Sequence, residues 1–293
     1  MATDPLFLTR LVAVFAIALI YTVFDLFNRR NVPGTYAYTT LAIGIVLTLA
    51  YLNIQTIAIS FAIAAVIGSI GYLIYRAGQL GAADVIEFAA ISLIIPFFSS
   101  PFLTSAPQLN LPFIIAVFIA SGIVSLILIP FYYLPRADRM LKGQLAMMIS
   151  GKDVFKGVLL SVAYLVFIAF MVLYLNVSVI GLVIIIVLMV SSLITAVFER
   201  PITDSMVEPI PVSKFEEGDI IALNLMKQSE INAMKRQVKG FDRLVTSKII
   251  EEMKKKRITK KFPVYRSAMP LALPIFVGLV VSLLFGNVLL LII

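Results

Sequence analysis

The chain contains neither cysteine nor histidine in its 293 residues. The absence of cysteine excludes disulfide bonds and thiolate metal sites. The absence of histidine excludes His-ligated zinc, a Ser–His catalytic pair and any imidazole base. Any acid–base chemistry must therefore come from Asp, Glu, Lys or Tyr, and we expect neither a cofactor nor a metal.

Polar residues are scarce. Hydrophobic residues make up 61% of the chain, and the mean hydropathy is +1.04. Soluble domains are usually about 45–50% apolar, so one buried core does not account for this excess. The composition predicts a polytopic membrane protein. The first apolar run lacks a small-residue cleavage site followed by a soluble domain, so we expect a permanent span and not a removed signal peptide.

Eight runs are apolar enough to cross the hydrocarbon core, which takes roughly 20 residues. They are 6–27, 35–53, 55–75, 83–98, 112–134, 156–175, 178–198 and 269–291. The fourth run is short, and only "NVS" separates the sixth from the seventh, so six or seven spans remain possible. We expect an all-α polytopic membrane protein with about eight transmembrane helices.

The basic residues are unevenly distributed. The chain has 24 Lys and Arg against 16 Asp and Glu. If the chain crosses the membrane eight times, all of these basic residues except Arg10 lie on one side of the membrane. The loops on the opposite side, "YLNIQT", "SSPFLTSAPQLNLP" and "NVS", carry no charge. Because Lys and Arg accumulate in cytoplasmic loops, the pattern predicts a cell-membrane protein with both termini outside. It also assigns the positive charge to topology, and we expect no nucleic acid partner.

The same pattern divides the chain into five regions. They are transmembrane spans one to five over 1–134, an amphipathic cytoplasmic loop over 135–155, a transmembrane hairpin over 156–198, a small cytoplasmic segment over 199–268, and a final transmembrane helix over 269–293.

The cytoplasmic segment is the one sizeable polar part of the sequence, and we expect a small α+β unit there. "VSKFEEGDIIALNL" predicts two short strands joined by a turn at Glu217-Gly218. "LVTSKIIEEMKKKRI" predicts a basic amphipathic helix with Ile249, Ile250 and Met253 on one side. The lysines of this helix favour contact with anionic membrane lipids.

Three carboxylates lie near membrane depth: Asp25, Asp84 and Glu87. An ionised carboxylate there costs at least about 2.5–3.5 kcal/mol, so such residues are functional candidates. The predicted topology puts Asp25 and Asp84 at the cytoplasmic ends of their helices, where they can meet and share one proton. An aspartyl protease uses such a pair: one carboxylate takes a proton from water while the other group protonates the substrate carbonyl. The pair predicts a bell-shaped pH–rate profile.

The same residues also fit simpler roles. Asp84 fits a helix N-cap or a first-turn acid, and Asp25 fits a pair with Arg29 one helical turn later. The carboxylates alone therefore leave an intramembrane protease and an ion-coupled transporter nearly equal.

The residues around the two aspartates form recognisable motifs. "FDLFNRRNVPGTY" resembles the first motif of type IV prepilin peptidases, with Asp25, Arg29 and Pro33 in the corresponding places. "GAAD" resembles the G-x-G-D motif of that family in Gly81 and Asp84. An alanine replaces the second glycine, and archaeal members are similar in often having alanine there.

Two further stretches extend the resemblance. "MPLALPIFVG" looks like the family's final-helix motif in Pro270, Pro274 and Gly278. "FEEGDIIA" followed by "LVTSKIIEEMKKK" looks like the cytoplasmic segment of archaeal preflagellin and prepilin peptidases. The resemblance covers spans one to four and 211–285, whereas 112–198 carries no motif of the family.

The resemblance implies an aspartic endopeptidase of the G-x-G-D type. Such an enzyme removes the basic leader, a class III signal peptide, from archaeal pilin or archaellin precursors at the cytoplasmic face. Asp25 and Asp84 are then the catalytic residues. Gly81 matches the motif glycine, whose use is a tight turn that lets the substrate backbone approach. Pro270 and Pro274 match prolines that break the last helix and free carbonyls to hold an extended substrate.

Other residues complete the expected site. Arg29 and Pro33 belong to the first motif, and Glu87 lies one turn beyond Asp84. Glu87 either adjoins the site or pairs with Arg76 or Arg29. Bacterial members of the family add a four-cysteine zinc domain and methylate the new N-terminus. Without cysteine this chain cannot build that domain, so we expect peptidase activity without methyl transfer.

Two alternatives stay open. Presenilin-like proteases share the G-x-G-D motif, and "PLALP" resembles their Pro-Ala-Leu motif. In those proteases a Tyr precedes the first Asp, whereas here Phe24 precedes Asp25 and Arg29 and Pro33 follow. An ion-coupled transporter using Asp25 and Asp84 is the other alternative. The expected partners are pilin-like or archaellin precursors and membrane lipids, and the sequence leaves the oligomeric state open.

Overall fold

The computed structural model describes residues 5–28, 32–51, 53–76, 80–98, 101–103, 111–141, 149–175, 177–265, 271–288 and 290. These residues form eleven α-helices and two β-strands. In chain order they are α1 (Phe7–Phe27), α2 (Gly34–Leu49), α3 (Ile54–Arg76), α4 (Ala82–Ile94), α5 (Phe113–Met140), α6 (Gly151–Tyr174), α7 (Val179–Val197), α8 (Glu199–Ser205), β1 (Glu208–Pro211), α9 (Gln228–Gln237), α10 (Ser247–Lys255), β2 (Lys261–Val264) and α11 (Ala272–Phe285).

Each of the eight predicted apolar runs contains one helix, namely α1 to α7 and α11. Within the described residues, α1, α3, α5, α6 and α7 are long and apolar enough to cross a membrane. The other three are shorter, with 16 residues in α2, 13 in α4 and 14 in α11. The fold is therefore predominantly helical, and its five long apolar helices fit a membrane protein.

The sequence also accounts for the ends of the shorter helices. Ile95 follows α4 with an extended backbone, because the residue before a proline is disfavoured in the helical region and Pro96 comes next. Gly286 follows α11 with a φ of +75°. Its ψ of −137° puts it in a region of positive φ that glycine adopts without the steric cost that a side chain brings.

The helix α5 continues past the predicted end of the fifth span. The sequence predicted that this span ends at 134 and that an amphipathic loop covers 135–155, and α5 extends to Met140 through Pro130 and Pro135, so the first residues of the predicted loop are helical. An internal proline removes one backbone hydrogen bond, but membrane helices tolerate it where neighbouring helices pack around it, and Pro130 is buried. The middle of the predicted loop, 142–148, lies outside the described residues.

A core of buried apolar side chains joins α1, α2, α4, α5 and α11. α4 is central, since every residue from Glu87 to Ile94 is buried. Two glycines allow neighbouring helices to approach closely. A Cβ atom at Gly278 of α11 would lie 2.6 Å from the backbone nitrogen of Ser121 in α5, and one at Gly71 of α3 would lie 2.5 Å from Val85 in α4.

The outer helices contribute little to this core. α3 buries only Ser60 and Gly71, and α6 buries only Gly157 and Met171. Large apolar side chains cover much of their remaining surface. Contiguous apolar surface on this scale is rare on soluble monomers and suits contact with lipid.

Residues 199–265 form a second, smaller structural unit. β1 pairs with β2 in an antiparallel two-stranded sheet, with Glu208 opposite Val264. Arg136, near the end of α5, lies 3.5 Å from Glu208, and Lys156 in α6 lies 2.9 Å from Glu199 in α8. These exposed ion pairs place the unit beside the end of the bundle where α5 ends and α6 begins.

The predicted hairpin within this unit is wrong. Val212–Lys214, expected to be a strand, is a short 3-10 helix. Ile220 and Ile221, expected in the returning strand, form isolated bridges with Leu244 and Val264. Their partners are thus supplied by distant parts of the chain, which a local pattern of alternating residues does not specify.

The predicted amphipathic helix is present as α10. Its apolar residues Ile249, Ile250 and Met253 are buried in the core that the two strands and α9 share. Any contact of α10 with lipid therefore involves its lysines and not its apolar side. Lys260 donates a hydrogen bond of 2.9 Å to Glu230, and this bond holds the pKa of Glu230 below its usual value.

Candidate functional site

Asp25 lies in the last turn of α1 and is only 8% exposed. Its Oδ2 accepts a hydrogen bond of 3.0 Å from the backbone N–H of Ala272, a residue 247 positions away in sequence. Ala272 is the first residue of α11, and the first N–H groups of a helix have no partner within their own helix. A carboxylate from one helix therefore caps the positive end of another.

Thr22 joins Asp25 at this junction, and sequence analysis did not identify it. The Thr22 hydroxyl oxygen lies 2.9 Å from the carbonyl oxygen of Ala18 in its own helix and 3.1 Å from the carbonyl oxygen of Ala272, so its one hydrogen is shared between the two acceptors. Both backbone polar groups of Ala272 are thus held by side chains of α1. A threonine in an apolar helix commonly bonds the carbonyl four residues back, so no local pattern indicated the second contact.

Asp84 is the third residue of α4 and is half-buried. Its Oδ2 accepts a hydrogen bond of 3.0 Å from the N–H of Gly81, the N-cap residue of α4. The first-turn capping role that the sequence left open is therefore present. This bond fixes the carboxylate at the beginning of α4.

The glycine at position 81 leaves room for the Asp84 carboxylate, and its backbone conformation is not one that only glycine adopts. Its φ of −75° and ψ of 149° are ordinary extended values that any residue adopts. A Cβ atom at this position would lie 2.8 Å from Oδ2 of Asp84. The expectation that this glycine supplies a tight turn is wrong, since it makes room for the carboxylate beside it.

The two aspartates lie at the same end of the bundle. Asp25 is in the last turn of α1, Asp84 is in the first turn of α4, and Glu87 follows Asp84 by three residues. α1 ends there, and α4 and α11 begin there. The unit formed by 199–265 connects α7 to the segment before α11, so it belongs to the same end.

Glu87 is the most deeply placed of the three acids. It is fully buried, and neither carboxylate oxygen has a hydrogen-bond partner in the part of the chain that the structure describes. The expected alternative of an ion pair with Arg76 is therefore not formed. Burying an unpaired carboxylate is costly, so Glu87 is an unusual feature of the site.

Tyr21 and Thr40 border the carboxylates on the inner side of the bundle. Both are fully buried, and their hydroxyl oxygens lie 3.1 Å apart. The rings of Tyr21 and Tyr36 lie 5.3 Å apart, and the Tyr36 hydroxyl donates to the carbonyl of Ile17 at 3.4 Å. These hydroxyl groups give the site a polar inner wall that hydropathy patterns did not identify.

The remaining predicted residues are at helix starts or outside the described residues. Pro33 precedes α2, and its carbonyl accepts a helical hydrogen bond of 3.1 Å from Ala37. Pro274 is buried in the first turn of α11, where a missing N–H costs no helical bond. The carbonyl that it was expected to free, four residues earlier, lies outside the described residues. Arg29 and Pro270 lie outside the described residues.

No family model, curated protein or solved structure matches this chain. The resemblance to prepilin peptidases therefore depends on the quoted motifs, and the assignment of chemistry depends on the geometry of the three carboxylates.

Proposed function

We propose that this chain is an aspartic endopeptidase of the membrane that removes the basic leader from pilin-like or archaellin precursors. The observation that carries the proposal is the placement of Asp25, in the last turn of α1, and Asp84, in the first turn of α4, at the same end of the bundle. The motifs around both residues, which resemble those of prepilin peptidases, supply the substrate class.

The chemistry needs only these two carboxyl groups and a water molecule. The ionised carboxylate takes a proton from water as the water oxygen adds to the scissile carbonyl, while the protonated partner gives its proton to the carbonyl oxygen. The carboxyl group that took the proton from water then gives it to the leaving nitrogen, and the C–N bond breaks. The other carboxylate takes a hydroxyl proton of the gem-diol as the new C=O forms, which restores one shared proton. The N–H of Ala272 on Asp25 and the N–H of Gly81 on Asp84 hold the two acids in position.

The proposed topology has eight spans, α1 to α7 and α11, with the aspartates toward the cytoplasm and both termini outside. The basic residues of 199–265 belong to the same end of the bundle as the aspartates, and such residues accumulate on the cytoplasmic side. The substrate's hydrophobic helix then lies among the spans, and its basic leader reaches the aspartates from the cytoplasm. Its scissile bond must be unwound, because a helical carbonyl is already hydrogen-bonded.

The test is cleavage of a precursor pilin by the purified full chain in lipid vesicles. Asp25→Asn and Asp84→Asn should each lower kcat/KM about 10²–10⁴-fold, the usual contribution of a general acid or base. Asp138→Asn is the matched control, because Asp138 is an exposed aspartate near the end of α5. Near wild-type cleavage by either site variant contradicts the proposal. Equal cleavage of a membrane helix without a basic leader favours the presenilin-like alternative.

An ion-coupled transporter is the second candidate, and the burial of Glu87 favours it. Intramembrane acids without partners are typical of ion and proton pathways, and Glu87 lies beside two further acids. This candidate predicts proton flux across protein-containing vesicles that Glu87→Gln abolishes, together with no cleavage of the precursor.

A further inference from the structure

The junction between α1 and α11 has an unusual arrangement at Ala272. This residue is fully buried, so water does not satisfy its backbone groups. Its N–H donates to Oδ2 of Asp25 at 3.0 Å, and its carbonyl accepts from the hydroxyl of Thr22 at 3.1 Å. Two side chains of one helix thus hold both polar groups of a single peptide residue on another.

Helix geometry explains why Thr22 and Asp25 act together. Side chains three residues apart in a helix lie on the same face, so both face the beginning of α11. The two residues are nearly buried, at 5% and 8% exposure. In a site with little water, a hydrogen bond is stronger and its loss costs more than at an exposed surface.

We propose that Thr22 is a positioning residue for the proposed catalytic Asp25. By holding the carbonyl of Ala272, Thr22 fixes the first turn of α11 so that the N–H of Ala272 points at Oδ2 of Asp25. That bond sets the orientation of the carboxylate toward Asp84. The inference deepens the proposed peptidase function and rests on it for the kinetic part of its test.

The kinetic test compares three variants in the full chain. Thr22→Val removes the hydroxyl and keeps the shape of the side chain, whereas Thr22→Ser keeps the hydroxyl. Thr39→Val is the matched control, since the exposed Thr39 bonds the carbonyl of Thr35 in its own helix at 2.7 Å. We expect Thr22→Val to lower kcat about tenfold with KM within twofold of wild type, the loss of about one hydrogen bond. Thr22→Ser should restore most of kcat, and Thr39→Val should change neither constant.

A second measurement does not depend on catalysis. Hydrogen exchange of the Ala272 amide, followed in peptides from the start of α11, should become faster in Thr22→Val and stay unchanged in Thr39→Val. Thr22→Ala is a second variant without the hydroxyl. Whichever of Thr22→Val and Thr22→Ala purifies as a folded protein must show the faster exchange of the Ala272 amide. Exchange that is unchanged in these variants overturns the inference.

The two proposals fail in different ways. A wild-type protein that cleaves no precursor contradicts the proposed function. Hydrogen exchange of the Ala272 amide still tests the contact between Thr22 and Ala272 in that case. A wild-type protein that cleaves, with Thr22→Val keeping full kcat or with no recovery in Thr22→Ser, contradicts the role of Thr22 alone.

Discussion

Oδ2 of Asp25 lies 3.0 Å from the backbone nitrogen of Ala272 and accepts its hydrogen bond. A proposed catalytic acid is therefore also the cap of the last apolar helix. The same carboxylate serves structure and chemistry, so substitutions of Asp25 separate the two roles only if they preserve the acceptor.

Asp25→Asn and Asp25→Ala should differ in stability. Asparagine keeps a side-chain oxygen that can accept from Ala272, whereas alanine leaves the N–H without a partner, and loss of a cap costs about 0.5–2 kcal/mol. We expect the melting temperature in detergent to fall by several degrees in Asp25→Ala and to stay near wild type in Asp25→Asn. Equal melting temperatures for wild type and both variants would show that the contact contributes nothing.

Gly81→Ala should impair activity with little effect on stability. The backbone at Gly81 accepts any residue, but a Cβ atom would lie 2.8 Å from Oδ2 of Asp84 and push the carboxylate away. Since a displacement of about 1 Å can cost up to about 10²-fold, we expect kcat/KM to fall at least tenfold. Gly34→Ala is the control, because the nearest atom to a Cβ there is 4.0 Å away at the start of α2. Unchanged cleavage by Gly81→Ala contradicts the assigned role of this glycine.

Gly278→Ala should loosen the contact between α5 and α11. The added Cβ would lie 2.6 Å and 2.8 Å from backbone atoms of Ser121, and backbone cannot rotate away as a side chain can. Overpacking typically costs about 1–3 kcal/mol, so we expect a clear drop in melting temperature. Gly122→Ala in α5 has no neighbouring atom within 4 Å and should be neutral or stabilising. A melting temperature for Gly278→Ala equal to that of Gly122→Ala contradicts the close helix contact.

Neutral replacements of Glu87 should not lower the melting temperature of the protein. Both of its carboxylate oxygens are buried without a hydrogen-bond partner among the described residues. Leaving a buried polar group unsatisfied costs about 1–3 kcal/mol, and replacing it by an apolar group of similar shape removes that cost, while glutamine at least removes the charge. We expect Glu87→Gln and Glu87→Met to melt at or above the wild-type temperature. A drop of several degrees in both variants would mean that Glu87 makes a stabilising bond in the folded protein.

The sequence predicted the helical parts of the bundle because hydropathy is a local property. All eight apolar runs contain helices, and the first-turn position of Asp84 follows from its spacing after Gly81. The helix α5 extends beyond the predicted fifth run to Met140, with Pro130 and Pro135 inside it. Proline alone does not show whether neighbouring helices will pack around it.

The contacts that build the candidate site were beyond sequence reasoning. Thr22 and Asp25 reach Ala272 over separations of 250 and 247 residues, and no local pattern encodes such pairings. The prediction of a hairpin was wrong for the same reason, since Ile221 pairs with Val264 and not with a neighbour in sequence. Three acids near membrane depth could be identified as candidates, but the complete burial of Glu87 required the packing of α4.

The most direct test of the central claim is whether Asp25 and Asp84 act as one catalytic unit. Initial rates of precursor cleavage should be measured for Asp25→Asn, Asp84→Asn and the double variant, with Asp138→Asn as the control. Residues that act as a unit have strongly non-additive effects, so the double variant should be no slower than the slower single variant. Substantial cleavage by either single variant, or losses that multiply in the double variant, would contradict the account.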